Sequence, residues 1–339
     1  MIKKDFILNL FLSLVAVISF SCNAPRDNPL DPNGPKADLV QIKPDLGQIE
    51  GVVQTISAPL TGISGVSVFW IPGNIVVTTG DSGKYTINNI KPDDGDLIFI
   101  KDGYTPDTAH VKWNNVRQIT IPTVNLNKKP TLDINNYLIY SEVADQSGQS
   151  NIAAGQMSDL VIKVKINDSD NDIDSVYVTN DMLQFSAGLE LQSKLYQGTF
   201  TTAMLNNIKS LDEIVGYNFD VWVIDTFKRR FNVGSNKVAR VINSGVDIVS
   251  PNNDSTDVPP PVDLIWKKYS NGFSFTYKVE IYNATNPQPI FMQDSIPSEQ
   301  TTLRIDSSKV VSGDYFWTVS VVDKFLDSYK SLPGRFTIE

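Results

Sequence analysis

From Leu46 onward, apolar side chains recur at every second position in short runs. Val66-x-Val68-x-Trp70 is one, and Tyr277-x-Val279-x-Ile281 within Phe275–Ile281 is another. Strict alternation places one set of side chains on each face of an extended strand. Clusters of Gly, Pro, Asn and Asp separate the runs, as turns between strands require. No stretch sustains a helical period, and Met204 to Ile214 predicts the single short helix. The expected class is therefore all-β, built as β-sandwiches.

The alternation also repeats on a longer scale. Tyr217-x-Phe219-x-Val221-x-Val223-x-Asp225-x-Phe227 returns as Tyr315-x-Trp317-x-Val319-x-Val321-x-Asp323-x-Phe325, 98 residues later. A template repeating at that spacing is one small sandwich domain long. With the segment before it, the pattern divides the chain from residue 46 onward into three tandem β-sandwich domains at 46–128, 129–245 and 246–339, and leaves open whether they stack rigidly or hinge at Pro130 and near Pro251.

The first 45 residues follow a different rule. Lys3 and Lys4 precede an apolar run from Phe6 to Phe20, which is shorter than the ~20 residues a bilayer-spanning helix needs. A charged start and a short apolar run make residues 1–21 a secretory signal peptide. The run ends Ile18-Ser19-Phe20-Ser21-Cys22, and Cys22 is the only cysteine of the 339 residues. This segment resembles a lipobox, with a small residue before a cysteine that is cleaved and diacylated. The aliphatic position expected at Ser19 is displaced to Ile18. The resemblance implies lipidation at Cys22, a membrane partner reached through acyl chains, and, from Asn23 in place of Asp, an outer-membrane address in the cell envelope. Residues 22–45 carry Pro25, Pro29, Pro32 and Pro35 among Asn, Asp and Gly, a composition that suits an extended tether.

Gly47–Val53, Pro59–Val68, Thr78–Tyr85 and Asp102-Gly103-Tyr104 together resemble a carboxypeptidase regulatory-like domain, a transthyretin-like sandwich without catalytic residues of its own. The repeated template resembles the sixth strand of fibronectin type III and immunoglobulin-like domains. The likeness is fuller in 246–339, where Val262–Trp266 looks like the early strand with its core tryptophan. It implies tyrosine corners at Tyr217 and Tyr315.

Charge and chemistry narrow the function. The formal net charge is −9, and the one basic run is Lys228-Arg229-Arg230, so no nucleic acid partner is expected. One histidine, His110, is the sole candidate base for a hydroxyl nucleophile, and no Gly-x-Ser-x-Gly surrounds any serine. Zinc lacks ligands for the same reason. The chain is expected not to be an enzyme.

Two further features bear on binding. Asn167-Asp168-Ser169-Asp170-Asn171-Asp172-Ile173-Asp174 is the densest carboxylate cluster. Alternating Asp in a turn suits the oxygen-rich shell of Ca²⁺, making Asp168, Asp170 and Asp172 its first ligands, while the same spacing serves a turn that hydrogen-bonds to itself. The cluster departs from an EF-hand loop in its glycine and its final glutamate. Trp113, flanked by Lys112, Asn114 and Asn115, is the candidate for stacking a sugar; Trp70 shares the inward face of Val66 and Val68. The expected role is a non-catalytic, lipid-anchored envelope protein whose sandwiches serve as spacer and binding or adhesion surface. Its rivals are a carbohydrate-binding protein of a glycan-uptake system, which requires coplanar aromatics exposed on one sandwich face, and an accessory subunit of a larger envelope enzyme or secretion complex.

Overall fold

The computed structural model describes residues 45–146, 155–206, 208–286 and 288–339. Cys22, the signal segment and all but the last residue of the tether lie outside them. The described chain is all-β, with three hydrophobic cores following one another along the sequence. No helix among the described residues is long and apolar enough to cross a membrane.

The first domain holds β1 (Gly47–Thr55), β2 (Ser67–Trp70), β3 (Ile75–Thr78), β4 (Lys84–Ile90), β5 (Gly95–Ile100), β6 (Asp107–Val111), β7 (Gln118–Thr120) and β8 (Val124–Leu126). One sheet runs β4-β1-β7, with β8 also parallel to β1, and the other runs β3-β2-β5-β6. Their inner faces meet through Ile49, Val53, Val66, Val68, Trp70 and Phe99, so the alternation around Trp70 does point inward. The Asp81-Ser82-Gly83 turn closes tightly. Gly83 has φ +73°, and a Cβ there would sit 2.0 Å from the Val53 carbonyl oxygen, so only glycine fits.

The second domain comprises β9 (Thr131–Gln146), β10 (Gly155–Asn167), β11 (Ile173–Asn180), β12 (Phe185–Gln192), β13 (Leu195–Thr201), β14 (Asn218–Asp225) and β15 (Arg230–Lys237). Strand order is β15-β14-β11-β12-β13-β10-β9. This sheet curls until the Asn236 amide on β15 donates to the Tyr137 carbonyl on β9 at 3.0 Å, wrapping Leu160, Ile162, Val178, Phe185 and Phe219. The helix expected over Met204–Ile214 is reduced to one 3₁₀ turn, Leu211–Ile214. Ser210 and Glu213 form a capping box that fixes its start, and Met204 lies in the turn before it.

The third domain contains β16 (Ile248–Ser250), β17 (Val262–Trp266), β18 (Phe275–Asn283), β19 (Pro289–Pro297), β20 (Thr302–Ile305), β21 (Gly313–Asp323), β22 (Ser328–Lys330) and β23 (Gly334–Ile338). A sheet β16-β17-β20 faces one built on β19-β18-β21, with β22 and β23 both pairing β21. Trp266, Tyr277 and Trp317 meet edge to face between them. The expected tyrosine corner is present at Tyr315, whose hydroxyl donates to the Val311 carbonyl at 2.8 Å and accepts from its N–H at 3.1 Å. Tyr217 packs against the second core.

The second and third domains are not hinged beads. β22 pairs in parallel with β9, Ser328 to Lys330 against Glu142 to Ala144, which fuses both into one twelve-stranded sheet. Val143 of β9 packs in the third domain's core.

Candidate functional site

Three places gather polar or aromatic side chains. At the junction of the first and second domains, the Asp168–Asp172 loop connects β10 to β11. Asp168 closes the loop on itself: its two carboxylate oxygens accept the N–H groups of Asp170 at 3.1 Å and Asp172 at 2.9 Å. Asn171, at φ +53°, makes the tight bend between them. Asp170 turns to the first domain, accepting the Lys128 N–H at 2.5 Å and the Ser57 hydroxyl at 3.3 Å. Asp172 accepts the Asn127 side-chain amide and lies 3.9 Å from the Arg229 guanidinium. The Asp172 carboxyl is pushed up, first by burial and then by Asp168, Asp225 and Asp170.

The three loop aspartates expected as first Ca²⁺ ligands take different partners. Asp168 is spent on backbone N–H groups while Asp170 and Asp172 reach across to another domain. Among the described residues, no three carboxylate, histidine or cysteine side chains are grouped as a metal site.

At the junction of the second and third domains, buried polar groups lock the β9–β22 pairing. Tyr329 donates its hydroxyl to Asp145 at 2.6 Å, and Arg240, in the connection between the domains, bonds Asp323 at 3.0 Å. Asp327 accepts from Ser141 across the same junction. On the outer face of the shared sheet, Glu280 lies between Lys278 and Lys330, each at 2.8 Å, and the two ammonium groups hold its carboxyl below the usual range despite burial.

That outer face carries two shallow depressions. One of about 520 Å³ includes Lys163, Glu190 and Gln197, and one of about 440 Å³ includes Asp159, Lys278 and Lys330; Tyr140 and Glu142 line both. Beside the first, Tyr177 faces Gly188 across the β11–β12 ladder, and Gly188 lines that depression. Tyr177 in turn pairs with Trp222 of β14, their rings 6.4 Å apart and inclined by 12°. Both are half-buried, and the Arg230 guanidinium lies 4.2 Å from the Trp222 ring centre and 5.1 Å from that of Tyr177. Sequence reasoning passed over this pair because Trp222 fills an unspecified outward position of the repeated template.

Trp113 is not the exposed platform expected. It is 3% exposed, its ring packs where a side chain on Gly47 would go, and its indole N–H donates to the Asp93 carbonyl at 2.9 Å. A ring with no free face cannot stack a sugar. His110 is exposed and contacts Asp96 at the surface.

No family model matches the sequence, and no curated protein does. Solved structures that resemble the chain include the FN1–FN3 domains of chicken CNTN1, 9% identical over 87% of this chain and 98% of that one, with a TM-score of 0.30. The fibronectin(III)-like modules of Clostridium thermocellum CbhA are 12% identical, over 62% and 94%, at 0.28. A DUF3823 family protein from Bacteroides ovatus is 13% identical, over 57% and 98%, at 0.24. These distant likenesses assign neither family nor role.

Proposed function

We propose that the chain is a non-catalytic, lipid-anchored spacer of the cell envelope that holds a binding surface away from the membrane. The observation that carries this reading is the β9–β22 pairing. It turns two domains into one sheet with buried polar locks, which resists bending more than a flexible linker does. Asp170 and Asp172 clasp the first domain through Ser57, Asn127 and Lys128. The lipobox-like segment at Cys22 supplies the anchor, the proline-rich stretch to residue 45 supplies the tether, and the first domain is read as a regulatory-like sandwich that extends the rod. Two acyl chains are sufficient for stable anchoring.

The test is membrane fractionation and intact-mass analysis of wild type beside Cys22→Ala. Diacylglycerol on wild type and release of the variant into the soluble fraction support the reading. Unmodified, soluble wild type removes the anchor from it.

A second reading, glycan binding on the outer sheet face, is favoured by the Tyr177–Trp222 pair beside a polar depression. Near-parallel aromatic rings offer their faces to sugar C–H groups, and Glu190, Gln197 and Lys163 offer hydrogen bonds to hydroxyls. Arg230 would have to swing aside from the Trp222 face. Titration of the intact protein with oligosaccharides, followed by indole fluorescence, tests it. A response lost in Trp222→Ala and kept in Trp113→Phe supports the outer face, and a response unaffected by Trp222→Ala ends this reading.

A further inference from the structure

The junction between the first and second domains concentrates more buried charge and more unpaired polar atoms than its own contacts explain. Asp168, Asp170, Asp172 and Asp225 crowd together there, and Arg229 is the one guanidinium among them. It binds Asp225 through Nε at 2.6 Å. Lys228 is exposed and paired with Asp174 at 2.9 Å, and Lys128 contributes its backbone N–H. One guanidinium against four carboxylates leaves an excess of about three negative charges at a partly dry site, where such an excess is unfavourable.

The unpaired atoms lie on both sides of this cluster. Asn127, 2% exposed, sends its amide nitrogen to Asp172 and leaves its carbonyl oxygen Oδ1 without a partner. Asp172, 8% exposed, leaves its own Oδ1 without one. Thr105, whose N–H bonds the Asn127 carbonyl at 2.9 Å, has a buried hydroxyl in the same condition, as does the Arg229 Nη2. Buried polar atoms are nearly always paired, so the two unpartnered oxygens of Asn127 and Asp172, both acceptors beside a carboxylate cluster, call for a ligand that supplies positive charge.

We propose that this junction binds one hard divalent cation, Ca²⁺, between the two domains. Asp172 and the Asn127 side-chain carbonyl are its protein ligands, with the Thr105 hydroxyl and water completing an oxygen shell and Asp170 adding charge alongside. Mixed carboxylate, amide, hydroxyl and water shells suit Ca²⁺, whose coordination is flexible, better than Mg²⁺, which demands a regular octahedron. The ligand set differs from the loop aspartates taken alone. Asp168 shapes the loop rather than holding the ion, and the first domain supplies the amide. Cation binding would tie Asn127 to Asp172 and stiffen this joint, independently of how the protein is anchored.

The test uses the purified full-length protein, stripped with chelator and titrated with CaCl₂ in a calorimeter and in thermal unfolding. Wild type is expected to bind one Ca²⁺ with a dissociation constant of about 0.1–1 mM, the range of extracellular modules, and to melt higher with calcium than with chelator. Asp172→Asn should reverse the order: it melts higher than wild type in chelator, because a crowded charge is gone, and gains little from calcium. Asn127→Ala should weaken binding by about tenfold, with Asp174→Asn unchanged, and Asn127→Ala decides alone if Asp172→Asn does not fold. No heat and no thermal shift with several millimolar calcium would overturn the proposal, leaving water as the partner of these atoms. A calcium shift undiminished in both Asp172→Asn and Asn127→Ala would overturn it too, by placing the ion elsewhere.

Discussion

Asp327 of the third domain accepts both the backbone N–H and the hydroxyl of Ser141 in the second, at 2.7 and 2.8 Å, through a single carboxylate oxygen. The other oxygen is buried without a partner, and the side chain as a whole is inaccessible. Burial therefore outweighs the two hydrogen bonds. With Asp323 adding repulsion and Arg240 partly offsetting it, the Asp327 carboxyl is pushed up to about 6. The bond that joins two domains is thus made to a carboxylate that is uncomfortable in its charged form.

Stability of the fused pair should fall as pH rises through about 6. The folded state binds more protons than the unfolded state between the ordinary Asp value of about 4 and the raised one. The contribution is thus fully present below about 4 and lost above the folded value. The loss is on the order of 3 kcal/mol. Urea unfolding of wild type and Asp327→Asn between pH 4.5 and 8 checks this: the difference between them should shift in favour of the variant as pH rises. A pH-independent difference would show that Asp327 does not titrate in this window.

The repeated template explains where the arrangement comes from. Asp225 and Asp323 occupy equivalent template positions, and each donates its N–H to the carbonyl of the residue four further on and accepts that residue's N–H through its own carboxylate. In the second domain that residue is Arg229, which neutralises Asp225 directly. In the third it is Asp327, so two carboxylates meet where the other copy has an ion pair, and Arg240 reaches in from the interdomain connection to serve Asp323. Arg240→Ala should leave Asp323 buried without a countercharge and destabilise the pair by about 3 kcal/mol, while moving the Asp327 transition to higher pH. Unfolding free energies across the same pH range would show both effects. A stability loss with the transition unmoved would mean that Arg240 acts through Asp323 and its packing on Phe273 without reaching Asp327.

Much of this was legible along the chain, and what was not has a common cause. Alternation located the strands, the template located β14 and β21, and Tyr315 stood where its corner bond forms. β22 was invisible as a connector because three residues carry no period, and its partner strand lies far back in sequence. Asn127 gave no sign that it meets Asp172, 45 residues onward, across a domain boundary. The polar neighbours of Trp113 suggested exposure, yet the space that hides its ring is made by Gly47. Local pattern reports which face a residue takes, and these features depend on what a distant segment brings to that face.

The Tyr315 corner should be worth its hydroxyl. Tyr315→Phe keeps the ring against Phe336 but removes both bonds to Val311, and a loss of about 1 to 2 kcal/mol is expected. Denaturant unfolding of the variant measures it. A change within ~0.3 kcal/mol would mean that water replaces the hydroxyl at no loss.

Gly47 and Trp113 give the last expectation. A Cβ at Gly47 would lie 2.3 Å from the Trp113 ring, which is held in turn by its bond to the Asp93 carbonyl and by Asp94 accepting the Trp113 N–H at 2.9 Å. The ring therefore has little freedom to retreat. Gly47→Ala should destabilise the first domain by about 1 to 3 kcal/mol through overpacking, and Trp113→Ala by about 3 to 5 kcal/mol through the cavity it leaves. In the double variant the alanine methyl would occupy part of that cavity, so the combined loss should fall short of the sum. Thermal unfolding of the three variants gives the coupling directly. Strict additivity would mean that the two side chains do not compete for one space, and would reopen the surface reading of Trp113.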